Sequence, residues 1–292
     1  MDYRIADFLL RTEGAHNDIV ACGLIGFKPF EVESDSSATP TMLLRMESDI
    51  DRERYATAKV LYSSSFEQEY ATFEFLRYTT GYCVIMSRNG IDFILTKEDN
   101  SNIVESNLGH IKDADASLIR FGIWMMFGIV IAPLGAIAIH SSVAVKDNGA
   151  VLCLGESGTG KSTHTRLWRE NIEGTKLLND DSPIIRVVDG KCVVYGSPWS
   201  GKTHCYINRC VPVRALMRLS QAPYNKIHRL PALAAIGAIL PSCPPAFAYD
   251  NKLQDDICNA VSEILQHAPV YHLECLPNAE AAQLSYSTIF AE

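Results

Sequence analysis

The chain has 292 residues, of which 47% are apolar and 21% charged, with 18 Gly and 13 Pro. That is enough for two domains with real cores, and it excludes wholesale disorder and fibrous repeats. With 26 Lys+Arg against 34 Asp+Glu the formal net charge is −8. This argues against nucleic acid or an anionic membrane as partner, since both are gripped by cations, but leaves room for a small phosphorylated ligand in one local cationic pocket.

The first residues, MDYRIADFLLRTEG, carry acids and no apolar run of signal-peptide length. The nine Cys are odd in number and lack a CxxC, and Cys153 and Cys192 lie inside apolar runs. Together these predict free thiols in a reducing compartment, hence a cytoplasmic protein. Residues 33–40 read as a surface loop. Residues 70–78, 82–90 and 91–99 are rich in β-branched and aromatic residues, with Asn89-Gly90 as a hairpin turn. A boundary near 112–116 then separates a strand-rich N-terminal domain of unassigned role, 1–113, from a second domain, 114–292.

Residues 121–139 form 19 uncharged, mostly apolar positions, which meets the length of a membrane span. Pro133 and Gly135 divide the run, and no Lys/Arg cluster flanks it. A buried helix over 115–131 and a core strand over 136–145 is the preferred reading. Further strands are expected at 150–155, 176–179, 184–188, 191–195 and 270–276, and helices at 161–171, 252–267 and 278–289. The fold class is therefore α+β passing into α/β in the second half.

The strongest motif is Gly155-Glu156-Ser157-Gly158-Thr159-Gly160-Lys161-Ser162, a full GxxxxGK[ST] between an apolar strand and a helix. Glycines let successive N–H groups converge on phosphate oxygens, and the following helix presents its positive end there. Residues 155–163, through Thr163, form the expected ATP cradle, with Lys161 on the β- and γ-phosphates and the Ser162 hydroxyl on Mg²⁺. A second formal match, Gly196-Ser-Pro-Trp-Ser-Gly201-Lys202-Thr203, contains Pro198 and is followed by β-branched sequence. It is not a second triphosphate cradle. It is either a loop bringing Lys202 to the substrate or a turn held by Trp199.

Asn179-Asp180-Asp181 closes the run after the loop's helix. Two adjacent carboxylates can divide the work of phosphoryl transfer, one on Mg²⁺ and one as the base for an attacking hydroxyl. His140 lies on the strand before the loop, where a lone His is more often core than catalyst.

His140, the loop at 155–162 and Asp180-Asp181 in this order resemble the catalytic domain of HPr kinase/phosphorylase, whose nucleotide-binding core is shared with phosphoenolpyruvate carboxykinase. The resemblance spans about 136–200 and more loosely 270–281. It implies a P-loop kinase fold, Asp180 as general base, Asp181 as metal ligand, Lys161 at the phosphate, and His140 near the carboxylate or the phosphate. The family's Glu-x-Arg-Gly signature is absent and the comparable stretch reads YGSPWSGKTHCYINR, which points to an acceptor other than HPr.

Two weaker constellations stand beside this. His204, Cys205 and Cys210 match no standard zinc spacing. Arg209, Arg214 and Arg218 alternate with apolar residues as a solvated face would, with a phosphate-sensing Arg as the alternative. The reading that results is an ATP- and Mg²⁺-dependent kinase acting on a hydroxyl of a protein, peptide or small molecule, with homo-oligomers compatible. The alternative is a non-catalytic ATP-binding sensor. A transport ATPase ranks last, since the best later apolar run, 232–240, ends in Pro241 rather than Asp.

Overall fold

The computed structural model describes residues 1–14, 24–66, 71–111, 115–201 and 203–291. The chain divides into two compact units. One comprises Met1–Ile131 with Ala246–Leu253, the other Ala132–Pro245 with Gln254–Glu292.

The first unit is built on nine strands: β1 (Asp2–Ile5), β2 (Phe8–Glu13), β3 (Glu31–Val32), β4 (Met42–Arg45), β5 (Lys59–Phe66), β6 (Ala71–Tyr78), β7 (Gly81–Arg88), β8 (Ile91–Glu98) and β9 (Ile103–Ser106). They form one sheet in the order β3-β1-β2-β4-β9-β8-β7-β6-β5. Asn89 and Gly90 both take positive φ, 54° and 75°, so β7 and β8 pair from Arg88↔Ile91 outward. This is the two-residue turn whose twist matches that of the strands.

Helix α1 (Ala116–Ile131) packs on β7 and β8. The stretch Ala116–Leu134 is long and apolar enough to cross a membrane, and 67% of its most apolar window is buried. Gly122 admits the helix to the sheet, since a Cβ there would lie 2.6 Å from Met86 Cε and 2.7 Å from Leu95 Cδ1. The expected boundary at 113/114 lies outside the described residues, and the helix expected to open the second domain belongs to the first unit. Its apolar face is completed by the sheet of 1–111. The segment 246–253 also joins this unit: Phe247 is buried against Phe75 and Gly128, and the Tyr82 hydroxyl donates to Asp250 Oδ1 at 2.9 Å.

The second unit carries β10 (Ala136–Ala138), β11 (Ser141–Lys146), β12 (Gly149–Leu154), α2 (Lys161–Asn171), β13 (Lys176–Asp181), β14 (Ile184–Val188), β15 (Lys191–Tyr195), β16 (Cys210–Gln221), β17 (Lys226–Arg229), α3 (Ala232–Ile239), α4 (Asn251–His267, entering from the first unit), β18 (Val270–Cys275) and α5 (Ala279–Phe290). The sheet runs β10-β14-β15-β16-β12-β11-β13, with β18 on β16 and β17 on β18. The twelve-residue β16 holds it together, pairing antiparallel with β15 at its start and parallel with β12 and β18 further along.

One face of this sheet is covered by α2 and α5. Val151, Cys153, Met217, Leu219, Tyr271 and Leu273 pack there with Leu167, Trp168, Ala282 and Ile289. Within this core the Trp168 indole N–H donates to both His164 Nε2 (3.1 Å) and Ser285 Oγ (2.9 Å), which puts the His164 proton on Nδ1. Burial pushes the His164 ring down to about 4. The unfolded chain takes up this proton near pH 6.5 and the folded one only near pH 4. Stability contributed by the neutral ring is therefore complete above pH 6.5 and lost as pH falls through that window, up to about 3 kcal/mol. Melting followed from pH 7 to pH 4 is expected to show this loss, and His164→Gln is expected to flatten the slope.

The expected strand over 136–145 is broken. β10 pairs with β14 and β11 pairs with β13, with Ile139 and His140 between them. Opposite the break stand Ser182 and Pro183. Ile139 N–H still donates to Pro183 O at 3.0 Å, but proline has no N–H to return, so the ladder is interrupted there. His140 is thus a connecting residue rather than a strand residue, its own N–H donated to Ser242 O at 2.7 Å.

Candidate active site

Register explains why residues 40 positions apart meet. In β11, Ser141 faces Leu154 on one side and Asp181 on the other, and Ser142 faces Cys153 and Asp180. The start of β11 therefore lies between the ends of β12 and β13. The glycine-rich loop leaving β12, the Asp pair ending β13 and His140 preceding β11 emerge at one edge of the sheet.

The loop is shaped by three glycines with positive φ: Gly155 (143°), Gly158 (81°) and Gly160 (106°). Gly160 is the N-cap of α2 and supplies no side-chain cap, and the first turn holds no acid. The helix start therefore keeps its partial positive charge free of local neutralisation. Glu156, Ser157, Gly158 and Ser162 are exposed, and Thr159, Gly160 and Thr163 half-buried. Thr159 Oγ1 donates to Glu156 O at 2.6 Å, closing the turn. The Lys161 ammonium folds back under it, donating to Gly155 O (2.7 Å) and Glu156 O (3.0 Å). Burial pushes Lys161 below the ordinary lysine range, while Asp181, Cys153 and Asp180 pull it back up. Ser142 Oγ and Thr165 Oγ1, 2.8 Å apart, tie the first turns of α2 to β11.

On the other side of β11, Asp180 is buried, and the more exposed Asp181 has its Oδ1 3.2 Å from His140 Nδ1. Ser182 Oγ donates to Asp181 Oδ2 at 3.3 Å. The pair is held in place by Asn179, whose role the sequence did not disclose. Asn179 Oδ1 accepts the N–H groups of Asp181 (3.1 Å) and Ser182 (3.0 Å), and its amide reaches Ser197 Oγ (3.2 Å) and Trp199 O (3.1 Å). Asn179→Ala leaves these groups unpaired in a dry interior. An expected cost of about 1–3 kcal/mol is measurable by denaturant unfolding.

The second glycine-lysine motif packs on this strand through its glycines. Gly201 N–H donates to Asp180 O at 3.0 Å, and a Cβ on Gly201 would sit 2.9 Å from that oxygen. At Gly196 a Cβ would lie 1.9 Å from Ile207 O. Its glycines serve close backbone approach, Trp199 is buried, and β16 rather than a helix follows. Lys202 lies outside the described residues.

Beside the loop opens a cavity of about 530 Å³ lined by Gly158, Thr159, Thr163, Leu167, Leu219 and Pro277, among others. Among the described residues the Cys are free thiols, and His204, Cys205 and Cys210 form no three-ligand cluster.

No family model matches the chain, and no curated protein does. Among solved structures, the Hpr(Ser) kinase/phosphatase from Coxiella burnetii is similar at 12% identity and a TM-score of 0.30, covering 51% of this chain and 86% of that one. A superposition that loose fixes neither fold nor activity, which rest on this chain's own residues.

Proposed function

We propose that the protein is an ATP- and Mg²⁺-dependent phosphotransferase that moves the γ-phosphoryl group to a hydroxyl acceptor. The observation that carries this is the meeting, at one sheet edge, of an uncapped helix start behind a glycine loop with a buried lysine and two carboxylates. The main-chain N–H groups of 155–163 bind the phosphates. Lys161 releases the carbonyls of Gly155 and Glu156 for phosphate oxygens, and Ser162 with Asp181 supplies hard oxygen donors suited to Mg²⁺. The metal, when bound, neutralises charge on the phosphates. Asp180 accepts the acceptor's proton, and His140, beside Asp181, orients that carboxylate. The adjoining cavity is of a size to seat a nucleoside.

A non-catalytic ATP sensor would use the same loop but have no need of paired acids beside it. The deciding measurement is ATP consumption and phosphate transfer by purified protein with Mg²⁺ and peptide or small-molecule hydroxyl acceptors. Tight binding with no turnover, even to water, would establish the sensor instead.

A further inference from the structure

The sheet face turned away from α2 and α5 carries a cluster outside the phosphate-loop site. Side chains alternate along a strand. Since Met217, Leu219, Tyr271 and Leu273 fill the core beneath those helices, Arg218, Ser220, His272 and Glu274 belong to the opposite face. β17 pairs antiparallel with β18, which sets His228 directly across from His272 and Lys226 across from Glu274. The two imidazoles meet edge to face, with centroids 5.4 Å apart. One donor atom from each of His228, His272 and Glu274 lies within 4.8 Å of the others.

We propose that His228, His272 and Glu274 form a binding site for a divalent metal ion of the zinc kind, bridging β17 to β18. Two imidazoles and one carboxylate are the mixed nitrogen-oxygen set that borderline metals take, and three protein ligands leave a position open for water or an outside ligand. Tetrahedral bonds of about 2.1 Å place donors about 3.4 Å apart. Rotation of side chains by little more than 1 Å closes the site, and His228, exposed at the sheet edge, is free to make it.

Independent support comes from the residues behind the ligands. Ser220 Oγ lies 2.5 Å from His272 Nε2, and the Tyr224 hydroxyl donates to Glu274 Oε1 at 3.0 Å. Metal-binding His and carboxylate groups characteristically carry such outer partners, which fix their orientation. Arg218 and Lys226 are the opposing charges on this face. Arg218 reaches away to Gly237 O at 3.4 Å, and the Glu274 carboxylate offsets the remainder.

The test is calorimetric titration of metal-free, reduced protein with Zn²⁺ alone, on a Cys210→Ser background that removes the thiol exposed among the described residues. One Zn²⁺ per chain is expected, with affinity falling at least 10-fold in both His228→Ala and Glu274→Gln. His228 is exposed, so its variant keeps the fold, and Zn²⁺ should raise the melting temperature of the background protein but not of that variant. Absence of saturable binding, or equal binding in background and variants, overturns the assignment. Stabilisation by Mg·ATP should be unchanged in both variants, so failure here is separable from failure of the kinase reading.

Discussion

Asp180→Asn is expected to lower phosphoryl transfer by about 10²–10⁴-fold at saturating Mg·ATP, the range over which a positioned general base contributes. The substitution isolates chemistry from folding. Asn occupies the same volume, and the bond that Asp180 makes with Gly201 uses its backbone carbonyl. Melting temperature and nucleotide affinity should therefore change little while turnover collapses. Asp181→Asn should instead raise the Mg²⁺ concentration needed for half-maximal rate, because that carboxylate is assigned to the ion. Rates of Asp180→Asn equal to wild type, measured as phosphate released or ATP consumed, would remove Asp180 from the mechanism.

Loss of the Lys161 ammonium is expected to abolish stabilisation by ATP. A ligand present at 100 times its Kd stabilises a fold by about 2.7 kcal/mol, and this increment should vanish in Lys161→Ala and Lys161→Met. Because Lys161 also holds the carbonyls of Gly155 and Glu156, the nucleotide-free protein should itself lose some stability. Lys161→Met retains the buried stem, so the difference between the variants reports packing and their shared defect reports the charge. An undiminished ATP-induced shift in both would show that the nucleotide binds elsewhere.

Most elements of this fold could be read locally. The turn at Asn89-Gly90 and the helices expected over 161–171, 252–267 and 278–289 form within a residue or two of expectation. Register was not legible, because it depends on which distant strand pairs with which. Nothing in the order of residues shows that Ser141 lies between Leu154 and Asp181, and that is the fact that assembles the site. The break at His140 is not legible in its own segment, because Pro183 stands across the ladder. The placement of α1 is not legible either, because its apolar face is completed by strands far upstream. The stapling role of Asn179 needs Ser197 and Trp199 in view. His228 and His272 are 44 positions apart by number, and only the pairing of β17 with β18 joins them.

The eight residues of 246–253 make the first unit discontinuous, since they are borrowed from within the stretch that builds the second. Severing the chain at residue 131 would strip Phe247 of its aromatic neighbours and leave the Tyr82 hydroxyl without its acceptor. Neither half is thus a self-sufficient genetic cassette. An insertion, deletion or transplantation that respects only linear order damages both.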